Sequence, residues 1–170
     1  ARFQGQTPPS RLTAWRGLRR VREEATVVDF DELLAEADTA PVIATNINRA
    51  RGAFPMRWGL SHPTRGTLLV NARSETAAKS PLFGRSAAER RCLVPAGGYF
   101  EWLKDGPKKT RHAFYGPGGA PLYLGGLYMR RGNEPLPGFV ILTREAAPEI
   151  AYIHARMPVI VPQSLAADWL

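Results

Sequence analysis

The chain has 170 residues, 23 of them Lys or Arg against 15 Asp or Glu, for a net charge of +8. That is enough for one domain with a sizeable core, and the basic excess favours a polyanion as partner, nucleic acid first. No apolar run approaches the roughly 18 residues of a membrane span, and Ala1 to Gln6 is polar and basic rather than a secretory signal.

Cys92 is the single cysteine. It excludes an internal disulfide framework and points to a reducing, cytoplasmic setting. His62, His112, His154 and Cys92 show no metal-ligand spacing. The chain has no phosphate-binding Gly-x-x-x-x-Gly-Lys loop and no Gly-x-Gly-x-x-Gly turn, so neither a metal nor a nucleotide cofactor is expected. Fifteen prolines and sixteen glycines favour short elements and a β-rich fold over a helical bundle.

Ala1 to Arg22 reads as basic and irregular, with Arg11, Arg16, Arg19, Arg20 and Arg22 either solvated or in contact with phosphate. Asp29 to Ala37 is a short helix, with Asp29 as N-cap and Glu32 completing a capping box. Short strands follow at Pro41–Ala44 and Ala53–Leu60; beyond a turn at Ser61–Gly66, Thr67–Val70 leads into Asn71–Thr76. Ser74 or Thr76 is placed as the cap of a short helix, and Ser86 to Arg90 as another helical turn. From Arg91 the pattern is sheet, with strands at 91–94, 98–104, 110–115, 121–129 and 138–143, the first hairpin turning at Asp105-Gly106-Pro107. Ala147 to Ile153 reads as a short helix, Met157 to Val161 as a strand, and Pro162 to Leu170 as a last amphipathic helix. The expectation is one α+β domain over residues 1–170, a strongly bent, mostly antiparallel, barrel-like sheet with short peripheral helices.

Four polar residues fall at or beside strand ends, where a rigid scaffold aims side chains: Asn71, Arg73, Glu101 and His154. Asn71 and Arg73 are two apart and share a face of an extended backbone. Asn can donate to a developing oxyanion, and Arg can clamp a phosphate with two parallel bonds. Glu101 lies between Phe100 and Trp102; on an extended strand it shares its face with Tyr99, opposite the two aromatics. Taken alone, Glu101 is a water-facing edge carboxylate or an acid–base group, and His154 a structural hydrogen-bonder or a proton carrier. Trp58, Phe83 and Trp102 are core residues or stacking platforms for unpaired bases. Cys92 sits in an apolar strand, where a buried thiol is inert.

Six blocks, in order, carry a resemblance: Trp58-Gly59-Leu60, Asn71 to Thr76 (Asn-Ala-Arg-Ser-Glu-Thr), Arg91 to Trp102, Gly125 to Tyr128, Ile141 to Thr143 and Ile153 to Ile160. Together they resemble the SRAP family, the SOS response-associated peptidase domain, over nearly the whole chain. Members are sensors of abasic sites in single-stranded DNA. The resemblance implies a Met-Cys-Gly-Arg start, removal of the Met, and an N-terminal cysteine whose amine and thiol close a thiazolidine on the ring-opened abasic sugar. It implies that Glu101 moves protons at the amine and the sugar, that His154 assists ring opening and Schiff-base chemistry, and that Asn71 positions the terminal residue. Arg2 and Arg73 would hold flanking phosphates, with Trp58, Phe83, Trp102 and Thr143 also on the DNA side.

Two features depart from that pattern. Ala1-Arg2-Phe3 aligns with the Gly-Arg-Phe that follows Met-Cys, so the cysteine is expected one residue before Ala1. Ser61 to Gly66 replaces the family's aliphatic-Pro-x-Trp segment after Trp-Gly-Leu. The expected partner is single-stranded DNA with abasic sites, bound by a cytoplasmic, nucleoid-associated monomer without metal or cofactor. The alternative expectation, for a chain that truly lacks the cysteine, is a non-catalytic binder of single-stranded or damaged DNA.

Overall fold

Alternation along five apolar strands builds the core. A computed structural model describes residues 2–4, 39–46 and 48–170; the expected helix at 29–37 and the arginine run at 11–22 lie outside the described residues. Strands β2 (Thr39–Thr45), β3 (Arg51–Trp58), β7 (Arg91–Ala96), β10 (Leu122–Met129) and β11 (Gly138–Glu145) pair in the ring β10-β7-β2-β3-β11, and β11 returns to β10. β7, β10 and β11 are buried on both faces and their sequences are accordingly near-continuous apolar runs, whereas β3 is mostly half-buried or exposed.

Successive residues are sorted by the pleat. Val42, Ala44, Cys92, Val94, Leu122, Leu124, Phe139 and Ile141 point inward and form the interior cluster with Trp58 and Tyr99. Their neighbours Leu127, Val140 and Leu142 point outward under the peripheral segments, as do Ile43, Leu93 and Tyr123.

The outer covers are short. Strands β4 (Leu60–Ser61) and β5 (Leu68–Leu69) form a small ladder, and β6 (Asn71–Arg73) runs parallel to β11 before α1 (Ser74–Ala77) and α2 (Gly84–Glu89). β12 (Arg156–Pro158) extends the opposite edge of β11. At the end of the chain, α3 (Ala166–Trp169) lays Trp169 against β10, its indole N–H donating to the Cys92 carbonyl at 2.9 Å. A separate sheet stands beside the barrel: β1 (Arg2–Gln4), β8 (Gly98–Asp105) and β9 (Lys108–Tyr115).

The expected α+β, strongly bent and barrel-like sheet is therefore present, with local differences. Arg2–Gln4 is a strand, although its composition reads as irregular, because it pairs along β8. Residues 147–153 form hydrogen-bonded turns instead of a helix. The eight residues between Ala146 and Ala155, whose backbones bond at 3.0 Å, instead close a loop of successive turns. α1 begins at Ser74 with Arg73 in the cap position and no side-chain cap, so neither Ser74 nor Thr76 caps it. The last segment starts as a 3₁₀ turn at Gln163–Leu165 before α3.

Gly125 is a tight seat for a cover. A Cβ there would lie 2.7 Å from the Trp169 ring. Gly125→Val is expected to lower stability by about 1–3 kcal/mol, read by denaturant titration; an unchanged midpoint would show that Trp169 moves aside freely.

Candidate functional site

The hairpin β8–β9 fixes the position of Glu101. Its two strands are joined at Gly106 and Pro107 in register Asp105↔Lys108, Trp102↔Arg111, Glu101↔His112, Tyr99↔Phe114. Tyr99 and Glu101 occupy one face, Phe100 and Trp102 the other. Two ring contacts establish which face is which. Tyr99 stacks on Phe114 with centroids 4.8 Å apart and belongs to the interior cluster. The Arg111 guanidinium lies 4.7 Å from the Phe100 ring on the outer side. Glu101 thus stands two residues beyond an interior tyrosine, at the open end of the barrel.

Glu101 is 5 % exposed, so the water-facing alternative does not hold. A carboxylate this deep needs partners, and one is His154, whose Nδ1 lies 3.5 Å from Oε2. The same nitrogen is 2.9 Å from the Arg156 carbonyl and 3.2 Å from the Arg156 amide. Two acceptors, including the nearer group, favour a proton on Nδ1, which leaves Nε2 as the basic nitrogen. Burial, and then the Glu101 charge, push the Tyr99 phenol up to about 12, so it stays protonated at neutral pH.

His154 is itself held by a locked arginine. Arg156 forms two bonds to the Glu75 carboxylate, at 2.8 and 2.9 Å. It also donates to the Thr143 carbonyl at 2.6 Å and to the Thr143 hydroxyl at 3.3 Å. This pairing draws α1, β11 and β12 together. The Arg156 guanidinium, through its hydrogen bond first, lowers the Glu75 carboxyl to about 2.

Asn71 and Arg73 join through β6, which pairs Asn71 with Ile141 and Arg73 with Thr143. Ala72 and Leu142 share the outer cluster, which puts Asn71 and Arg73 on the interior side. Asn71 Oδ1 is buried with no hydrogen-bond partner among the described residues, while Arg73 is exposed. Thr143 is nearly buried, its hydroxyl also 3.5 Å from the Ala72 carbonyl. Trp58 takes the core alternative: it is 8 % exposed, stacks on Phe139 and donates from Nε1 to the Val70 carbonyl at 3.0 Å. Phe83 packs partly buried against the outer cluster, and Trp102 is partly exposed on the outer hairpin face. Arg2 pairs with Phe100 across β1–β8. Cys92 is fully buried, and burial pushes its thiol far up, away from reactivity.

Three features escape the strand-end reading: Glu75 and Arg156, His112 opposite Glu101, and the outer cations Lys104, Lys109 and Arg111. The two-residue hairpin turn would have revealed the second and third, because it fixes which residues oppose each other. Glu75 and Arg156 are 81 residues apart, and no local pattern joins them.

The family model for SOS response associated peptidase (SRAP) matches residues 2–170. The chain belongs to that family. It is 36% identical over 105 residues to the abasic site processing protein YedK of Escherichia coli, covering 60% of this chain and 47% of the relative. It is 32% identical over 124 residues to the abasic site processing protein YoaM of Bacillus subtilis, covering 68% and 55%. The chain thus spans about half the length of the curated relatives it matches. A crystal structure of a Bordetella bronchiseptica protein superposes with a TM-score of 0.79 at 25% identity, covering 99% of this chain and 86% of that one.

Glu75 provides a pH test. Its folded-state carboxyl titrates near 2 against an ordinary 4.5, so the unfolded chain binds the extra proton between those values. The stability it contributes is present above about pH 4.5 and lost as pH falls toward 2. Glu75→Gln is expected to flatten that part of the melting temperature–pH profile between pH 2 and 5, and 1 M salt to weaken it in the parent because the pair is exposed. A profile identical to the parent's would detach Glu75 from the Arg156 lock.

Proposed function

We propose that residues 1–170 act as one domain that senses abasic sites in single-stranded DNA and joins itself to them through an N-terminal cysteine one residue before Ala1. The observation that carries this reading is the direction of β1. It runs antiparallel to β8 with Gln4 opposite Gly98 and Arg2 opposite Phe100, so its N-terminal end, Arg2, lies one register step from Glu101. Asn71, its buried oxygen unpartnered among the described residues, lies two residues before Arg73, which pairs with Thr143; Arg156 bonds that Thr143 and, through its main chain, the His154 of the Glu101–His154 pair. The names of the matched relatives, abasic site processing proteins, supply the substrate class.

The chemistry follows from the residue types. Glu101 takes a proton from the terminal ammonium, and the freed amine attacks the sugar aldehyde. Nε2 of His154 takes up a proton that the attacking nitrogen gives up and returns it to the carbinol oxygen, which leaves as water and gives a Schiff base. The thiolate adds to the imine carbon and the nitrogen is reprotonated, closing the thiazolidine. Two nucleophiles on one residue make the second attack intramolecular. Removal of the initiator Met ahead of the cysteine belongs to the same proposal, as does action in the cytoplasm at the nucleoid. Incubating full-length protein with single-stranded DNA carrying one abasic site should give a heat-resistant shifted band on a denaturing gel; no such band sinks the reading. Glu101→Gln should slow adduct formation about 100-fold with the fold intact, and unchanged kinetics would remove Glu101 from the mechanism.

A second reading, a non-catalytic binder of single-stranded DNA, draws on the outer hairpin face. Lys104 stands directly opposite Lys109, and Trp102 opposite Arg111. Like charges directly opposed destabilise a ladder, and none of the three cations has an ion pair among the described residues. Cations around a partly exposed indole suit a phosphate backbone with stacked bases. Lys109→Glu with Arg111→Glu is expected to weaken binding of undamaged single-stranded DNA at least tenfold and to reduce the slope of log affinity against log salt by about 1, measured by fluorescence anisotropy. An unaltered slope would place the DNA elsewhere.

A further inference from the structure

His112 stands opposite Glu101 in the β8–β9 register. Opposed residues of an antiparallel ladder project from the same face, with Cβ atoms about 4.5–5.5 Å apart. The Tyr99–Phe114 stack, the next opposed pair on that face, points into the barrel, so the His112 ring lies on the barrel side too. Its Nε2 is buried and meets no hydrogen-bond partner among the described residues. Buried polar atoms are nearly always bonded, and Phe114 shows that this face accepts an apolar ring. Among the described residues, Nε2 of His112 therefore makes no bond to the fold that phenylalanine would lack. The Glu101 carboxylate accordingly has His154 at 3.5 Å and a second imidazole across the ladder.

We infer that His112 is a ligand-binding residue of the Glu101 site, its Nε2 reserved for the sugar hydroxyl that ring opening of an abasic deoxyribose frees. The choice of ligand rests on the abasic-site reading; the vacancy itself does not. Opening the cyclic hemiacetal breaks the bond between the ring oxygen and the anomeric carbon; the anomeric hydroxyl gives up its proton and becomes the aldehyde oxygen, while the ring oxygen takes up a proton. The new hydroxyl both donates and accepts, and an imidazole nitrogen meets it in either tautomer. Bound there, the open-chain form is held with its aldehyde free for attack, and reclosure is opposed.

The test compares full-length parent, His112→Phe and His112→Gln in three measurements. Thermal melting should show His112→Phe at least as stable as the parent, because an idle buried nitrogen is removed. The rate of adduct formation on abasic single-stranded DNA should fall about tenfold in His112→Phe and recover in part in His112→Gln, whose amide reaches the Nε2 position. Equilibrium binding should be read on two oligonucleotides that cannot crosslink, one with a borohydride-reduced, open-chain abasic site and one with a closed tetrahydrofuran. The parent should prefer the open chain about fivefold, and His112→Phe should lose that preference. If the parent forms no adduct but shows the preference, and His112→Phe abolishes it, the crosslinking reading falls and the assignment of His112 stands. A parent without the preference, or a His112→Phe protein that keeps the parent's preference and rate, overturns the assignment.

Discussion

Both edges of β11 have to be filled, and most of the architecture follows from that. One edge takes β10 and then β12; the other takes β3 and then β6. A strand with six successive buried residues leaves no room for an unpaired backbone group. The parallel partners must therefore arrive from a distant part of the chain, and β6 brings Asn71 and Arg73 with it. The β6–β11 pairing, on the edge of β11 that β3 also uses, thus brings polar side chains alongside the barrel. Two-sided burial also accounts for the sequence of β11, in which no charge appears before Arg144.

At the open end of the barrel polar groups hold one another in series. Glu75 fixes the Arg156 guanidinium, the Arg156 backbone meets the His154 ring, and the ring meets Glu101. An exposed ion pair alone adds little to stability. Here it does something different: it removes rotameric freedom from an arginine whose main chain supports the imidazole. His154 sits on a loop and is half-exposed, so without such support its ring would sample several orientations. The buried carboxylate is the fixed point, and the histidine is brought to it.

How much of this was legible in the sequence depends on the range over which each feature is decided. The alternation that sorts Val42 from Ile43 and Phe139 from Val140 is local, so the strands and the barrel-like sheet were readable. Glu101, His154 and Asn71 were readable as strand-end polar residues, and the family resemblance turned that list into roles. Partner-dependent features were not readable. Arg2–Gln4 becomes a strand only because β8 offers an edge. The 147–153 segment has helical composition, but the Ala146–Ala155 closure folds it into successive turns. Trp58 was ambiguous until its indole N–H was seen to bond the Val70 carbonyl inside the barrel. The burial of Glu101 likewise comes from what lies over it, and residue type does not encode that.

The β8–β9 turn has a consequence for how this hairpin can vary. Two residues, Gly106 and Pro107, join strands that face the barrel on one side and carry lysine, arginine and tryptophan on the other. Inserting one residue in β9 between Lys108 and Arg111 would exchange the two faces of everything after it. Arg111 would then lie inward beside Glu101, and a carboxylate–guanidinium pair would replace the carboxylate–imidazole arrangement. The buried carboxylate would be paired with a permanent cation, and the outer surface would lose a cation in the same step. Side chains in this hairpin can therefore be substituted one at a time, whereas its length is held in units of two.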